Sequence, residues 1–121
     1  MSVKTFRDLI VWQKAMELAP LIYKETNNFP KSEMFGIISQ MRRSAVSIPS
    51  NIAEGYGRNS QNDYIRFLNI TMGSVFELQT QLEISKSLDY VVGNNFSELF
   101  EKTREIERIL SSLIKKIKSK K

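Results

Sequence analysis

A chain of 121 residues, 41% of them hydrophobic, is long enough for one domain with a real core and needs no second one. It contains neither cysteine nor histidine, which excludes disulfides and thiolate chemistry, removes the commonest metal ligands and general base, and fits a reducing cytoplasm. The net charge of +5 is concentrated: residues 115–121, KKIKSKK, hold five lysines and no acid, leaving 13 basic against 13 acidic side chains in the other 114 residues.

The N-terminal stretch MSVKTFRDLIVWQK carries Arg7, Asp8 and Lys14 around a short apolar run and does not read as a signal peptide. No apolar run approaches the roughly 18 residues of a membrane span. A cytoplasmic protein without membrane contact is expected, because lysines lacking apolar anchors hold a membrane surface weakly.

The first helix is predicted from about Thr5 to Thr26, with Thr5 as N-cap and Asp8 three residues on to reciprocate. Its apolar residues Leu9, Val11, Trp12, Ala15, Met16, Leu18, Ala19, Ile22 and Tyr23 cover about half the circumference, more than the ~100° stripe of a surface helix. That width predicts burial on two sides, the second against a partner subunit. Pro20 lies inside the pattern and should bend it. The turn Asn27, Asn28, Phe29, Pro30 follows, and Ser32 is the expected cap of a second helix running from Glu33 to about Tyr56.

In that helix Met34, Ile38, Met41, Ala45, Ile48 and Ile52 form a four-three seam. Pro49 leaves the carbonyl of Ala45 without its donor, so a kink or help from Ser44, Ser47 or Ser50 is expected. Gly55 and Gly57 can close the helix in the left-handed conformation. Ser60 with Asp63 opens a third helix to about residue 87, with Tyr64, Leu68, Thr71, Val75, Leu78, Leu82 and Ser85 on its seam. Gly73 in its middle predicts close approach of another backbone. Asn94 or Asn95 is the expected cap of a fourth helix to about Ile117, with Phe96, Leu99, Thr103, Ile106, Leu110, Leu113 and Ile117 facing inward and a fraying lysine tail beyond. Short loops join these patterns. The expectation is an all-α, antiparallel, up-down-up-down, left-handed four-helix bundle forming a single domain over residues 1–121.

The stretches FRDLIVWQKA, IYKETNNFPKSEMFGIISQMRRSAVSIPSNIAEGYGR and FLNITMGSVFELQTQLEIS carry a family resemblance. Over residues 6–117 the chain resembles the four-helix-bundle family named for proteins encoded in intervening sequences of bacterial 23S ribosomal RNA genes. The most specific part is Arg42, Arg43 and the run Ser47-Ile48-Pro49-Ser50-Asn51-Ile52-Ala53-Glu54-Gly55, followed by Gly73-Ser74 and Glu77-Leu78. Pro20 is a departure. The resemblance implies a ring-like homopentamer, and a relative serves as a basic accessory protein of reverse transcriptases in diversity-generating retroelements.

The candidate nucleic-acid-binding residues are Arg42, Arg43, Arg58, Lys115, Lys116, Lys118, Lys120 and Lys121. Arg42 and Arg43 point about 100° apart, so they make two separate phosphate contacts or one contact and one structural pair. The structural alternative has them bridging Glu54, Glu77 or a neighbouring subunit, and Arg58 sits four residues after Glu54, where a local ion pair is favoured. Pro49, Asn51, Glu54, Gly55, Gly73 and Glu77 are read as structural. Without histidine, Glu54 and Glu77 lack the partners of a bundle metal site, so no metal, cofactor or catalytic residue is expected. Trp12, Tyr56 and Tyr64 can stack on bases, but at helical spacing they read more simply as core or interface residues. The expected function is non-enzymatic: a homo-oligomer that binds RNA or DNA electrostatically, or alternatively a scaffold or accessory subunit for a partner enzyme such as a reverse transcriptase.

Overall fold

The computed structural model describes residues 2–91 and 93–120, and four helices make up most of them: α1 (Ile10–Thr26), α2 (Ser39–Tyr56), α3 (Gln61–Ser87) and α4 (Asn94–Ser119). There is no strand among the described residues. Each helix packs on the next in sequence, and α1 also packs on α4, so the four enclose one core. That core is the union of four stripes: Val11, Ala15, Leu18 and Ile22 from α1, then Met41, Ala45, Ile48 and Ile52 from α2. Leu68, Val75, Leu78 and Leu82 come from α3, and Leu99, Ile106, Leu110 and Ile117 from α4. Leu78 and Ile106 are both 0% exposed, as their seam positions require.

The α2–α3 contact includes a row of polar pairs. Ser85 Oγ meets Met41 Sδ at 3.4 Å, Ser44 Oγ donates to Glu77 Oε1 at 2.7 Å, and Ser47 Oγ lies 2.7 Å from Ser74 Oγ. Gly55 completes the row, since a Cβ there would stand 2.6 Å from Phe67 Cβ. Helix α2 continues through Pro49. Around it Ser47 Oγ donates to Ser44 O, Ser50 Oγ to Val46 O and Asn51 Nδ2 to Ser47 O, all at 2.8 Å. These bonds give the backbone near the proline side-chain donors, while Ser44 turns instead to α3.

Several helix ends differ from the sequence expectation. Thr5 does cap a turn: its Oγ1 accepts from Arg7 N, and Asp8 Oδ2 accepts from the N–H groups of Lys4 and Thr5. That turn is a short 3₁₀ segment, Phe6–Asp8, and Leu9 then swings to extended backbone (φ −73°, ψ 125°) before α1 begins. Ser32 is not a cap. Pro30 leads into a 3₁₀ turn, Lys31–Glu33, and a π turn, Met34–Ile38, where Gly36 is non-helical (φ −108°, ψ −117°). This irregular entry puts Met34 outside the seam, 42% exposed, and Ile38 is its first buried member.

The glycines and the C-terminus also correct the expectation. Gly57 ends α2 in a right-handed conformation (φ −79°) and Gly55 lies within the helix, so neither is left-handed; close approach of α3 explains Gly55. Gly73 meets no other backbone, since a Cβ there would have nothing within 4 Å. It lies on a face of α3 turned away from the core. Neither Asn94 nor Asn95 caps α4; the preceding Gly93 does so with a positive φ of 55°. Of the two valines that precede that glycine, Val91 is buried and Val92 lies outside the described residues. The lysine tail does not fray after Ile117, because α4 continues to Ser119.

Candidate nucleic-acid interface

One end of the bundle gathers basic side chains from four separate stretches. The N-terminal segment is tied to the end of α2 by Tyr56 Oη, 3.4 Å from Val3 O. The end of α2 meets the start of α3 through the Tyr56 and Tyr64 rings, edge to face at 6.0 Å. Lys116 on α4 borders the same depression as Val3 and Asp8. Lys4 and Arg7 therefore lie near Arg58, Arg66 and the last turns of α4, where Lys115, Lys116, Lys118 and Lys120 are all exposed. Among the described residues of these stretches, the acids beside these eight basic residues are Asp8, Glu54 and Asp63. Lys121 lies outside the described residues.

The local chemistry separates held cations from free ones. Arg58 Nη2 pairs with Glu54 Oε2 at 2.7 Å, one helical turn back, and its guanidinium lies 4.8 Å from the centre of the Phe67 ring. Arg66 sits over the same ring at 4.8 Å and pairs with Asp63 at 3.6 Å. The four described tail lysines make no ion pair among the described residues. Their place at the C-terminus of α4 suits the negative end of the helix dipole. Asp8 is held below the ordinary carboxylate range by the N–H groups of Lys4 and then Thr5. Burial, and then repulsion from Tyr56, pushes the Tyr64 phenol up to about 12.

The two adjacent arginines of α2 have separate surroundings. Arg42 reaches the C-terminus of α1: its Nε donates to Thr26 Oγ1 at 2.9 Å and its Nη2 to Asn27 Oδ1 at 3.0 Å and Tyr23 O at 3.4 Å. Its guanidinium also lies 4.7 Å from the centre of the Tyr23 ring. A cation on the unpaired carbonyl end of a helix is favourable both as a hydrogen-bond donor and against the dipole. The partners suggested for a structural Arg42 are thus otherwise engaged, Glu54 by Arg58 and Glu77 by Ser44. Arg43 is exposed and makes no hydrogen bond, ion pair or ring contact among the described residues.

Each aromatic candidate packs on another ring: Trp12 meets Phe6 edge to face at 5.2 Å, and Tyr56 and Tyr64 form the pair described above. Among the described residues there is no cluster of three or more acidic side chains that could hold a metal ion, and no helix is long and apolar enough to cross a membrane.

Residues 7–112 match the family of 23S rRNA-intervening sequence proteins. The chain belongs to that family. This 23S rRNA-intervening sequence protein is similar to a protein of unknown function from the S23 ribosomal protein family of Bacteroides thetaiotaomicron, known from a crystal structure. The two share 30% identity over 88% of this chain and 99% of the other, with a TM-score of 0.80. No protein of curated function matches the sequence. Lys4, Arg7 and Arg66 join the basic end although the sequence reading did not select them. Each stands among residues of mixed charge in the sequence, and only the folding together of both termini with the α2–α3 turn brings them to one surface.

Proposed function

We propose that this family member is a non-enzymatic, cytoplasmic homo-oligomer that binds RNA or DNA through electrostatic contacts with phosphates. The observation that carries the reading is the basic end, where Lys115, Lys116, Lys118 and Lys120 stand exposed beside Lys4 and Arg7 with few acids nearby. Arg43 is a second, separate contact and Arg58 a local pair that also borders the basic end, while Arg42 serves mainly to hold α1. Lys121 extends the same tail. Such contacts displace counterions and read charge rather than sequence. Repetition of the basic end in an assembly multiplies weak contacts into avidity.

The bundle is proposed to be antiparallel, up-down-up-down and left-handed. Partner positions support this, since they descend on one helix as they rise on the other: Met41 with Ser85, Ser44 with Glu77 and Ser47 with Ser74. Lys14 with Glu105 and Glu25 with Asn95 do the same for α1 and α4. Assembly as a ring, a homopentamer by family resemblance, is supported by the exposed apolar side chains Met16 and Tyr23 on the outer face of α1.

The test is binding of structured RNA and of duplex DNA to the purified protein, followed by anisotropy across a salt series. Affinity for both that falls steeply with salt is expected. No binding, or an affinity indifferent to salt, would favour a protein-interaction scaffold that recruits a partner enzyme such as a reverse transcriptase.

A further inference from the structure

Between α1 and α2 runs an outward-facing groove of about 390 Å³ walled by Trp12, Met16, Pro20, Tyr23, Pro49 and Ala53. Its lining carries two hydroxyl groups, those of Tyr23 and Ser50, and Ser50 Oγ donates to Val46 O. Elsewhere on the same molecule Phe35 is 96% exposed, more than any other large hydrophobic side chain described.

Phe35 is held in that position by its surroundings. It lies in the Met34–Ile38 π turn, next to the non-helical Gly36. Ser39 Oγ binds the Gly36 carbonyl at 3.1 Å. The Glu33 carboxylate accepts from Tyr90 Oη at 2.8 Å, and Tyr90 packs on Phe29 with ring centres 5.3 Å apart. The turn is thereby fixed to the α3–α4 connection, and an aromatic ring presented on a fixed turn loses little freedom on docking. The groove cannot be filled by the chain's own Phe35, because Phe35 lies before the start of α2 at Ser39 and, at ~1.5 Å per residue, Pro49 stands about 15 Å along that helix.

We infer that the groove of one copy receives Phe35 of a second copy. This rests on the homo-oligomer reading and supplies its contact. The interface joins two different patches, so every docked copy still offers a free Phe35 or a free groove, and repetition closes a ring where the rotation permits. A single aromatic buries on the order of 150–250 Å², and aromatic anchors in well-packed pockets dominate the energy of interfaces.

The test is sedimentation equilibrium of the wild type, of Phe35→Glu, of Met16→Glu, and of the two variants mixed in equal amounts. Phe35 and Met16 are both exposed, so the variants should keep the wild-type circular dichroism; Phe35→Ala, expected to weaken association at least tenfold, replaces Phe35→Glu if the charge disturbs folding. The expected result is an oligomer larger than a dimer for the wild type, monomers for each variant alone, and a dimer in the mixture, because one variant keeps its groove and the other keeps its phenylalanine. Variants that assemble like the wild type, or a mixture that stays monomeric, would overturn the Phe35 contact while leaving the homo-oligomer reading in place. A monomeric wild type would overturn both.

Discussion

Gln81 shows how one polar atom in a core can be tested. Its residue is 7% exposed on α3, and its amide Oε1 has no hydrogen-bond partner among the described residues, whereas the buried hydroxyls of the seams bond back to their own helix or across to a neighbour. An unsatisfied buried acceptor costs about 1–3 kcal/mol, so Gln81→Met, of similar shape, should raise stability by about 1 kcal/mol in urea unfolding. Loss of stability would show that Gln81 has a partner in the assembled protein. Leu78→Ala or Ile106→Ala should cost about 2–5 kcal/mol by the same measurement, since each side chain is fully enclosed. Tyr64 adds a pH dependence. Its phenol ionises near 10 when unfolded but at about 12 in the fold, so the native state resists the charged form. The contribution of this neutral phenol is complete below pH 10 and is lost as pH rises from 10 through about 12. Tyr64→Phe should abolish the part of the alkaline loss that belongs to this residue, read from melting temperatures between pH 8 and 12.

At the level of helices, two glycines in helical backbone should respond oppositely to alanine. Gly55→Ala places a methyl 2.6 Å from Phe67 Cβ, so α2 and α3 must move apart, and overpacking of that kind costs about 1–3 kcal/mol. Gly73→Ala places its methyl in open space on an exposed face, so the helix gains about 1 kcal/mol. Thermal denaturation of the two variants decides; destabilisation by Gly73→Ala would mean that another copy packs there. The same pair shows what the sequence could tell. The four-three spacing identified most of the buried stripes of α2, α3 and α4, Met34 apart, because burial of an apolar face is a local, periodic property. Glycine within a helix is ambiguous without its neighbours, so Gly55 was read as a terminator and Gly73 as a contact, the reverse of what packing requires. Helix entries were equally opaque: Leu9 and Gly36 leave helical geometry in segments whose neighbours Val3 and Glu33 bond to Tyr56 and Tyr90, residues distant in sequence.

Across the whole molecule, exposed basic side chains collect at one end of the bundle. The tail lysines were visible in the sequence as a run, but their alliance with Lys4, Arg7 and Arg66 is a product of topology, as is the diversion of Arg42 to the end of α1. The buried Ile117 also alters how the tail must be probed: it lies within KKIKSKK and packs in the core, so deleting residues 115–121 would remove a core side chain along with the charge. Substitution is cleaner than truncation. The most direct measurement is therefore the salt dependence of RNA binding by the wild type and by a variant with Lys115, Lys116, Lys118 and Lys120 all changed to glutamine. With about 0.7–0.9 counterions released per phosphate contact, loss of four contacts should flatten the slope of log affinity against log salt by about 3 for each basic end engaged, with the fold unchanged by circular dichroism. A variant whose slope and affinity match the wild type would contradict the basic end as the nucleic-acid interface.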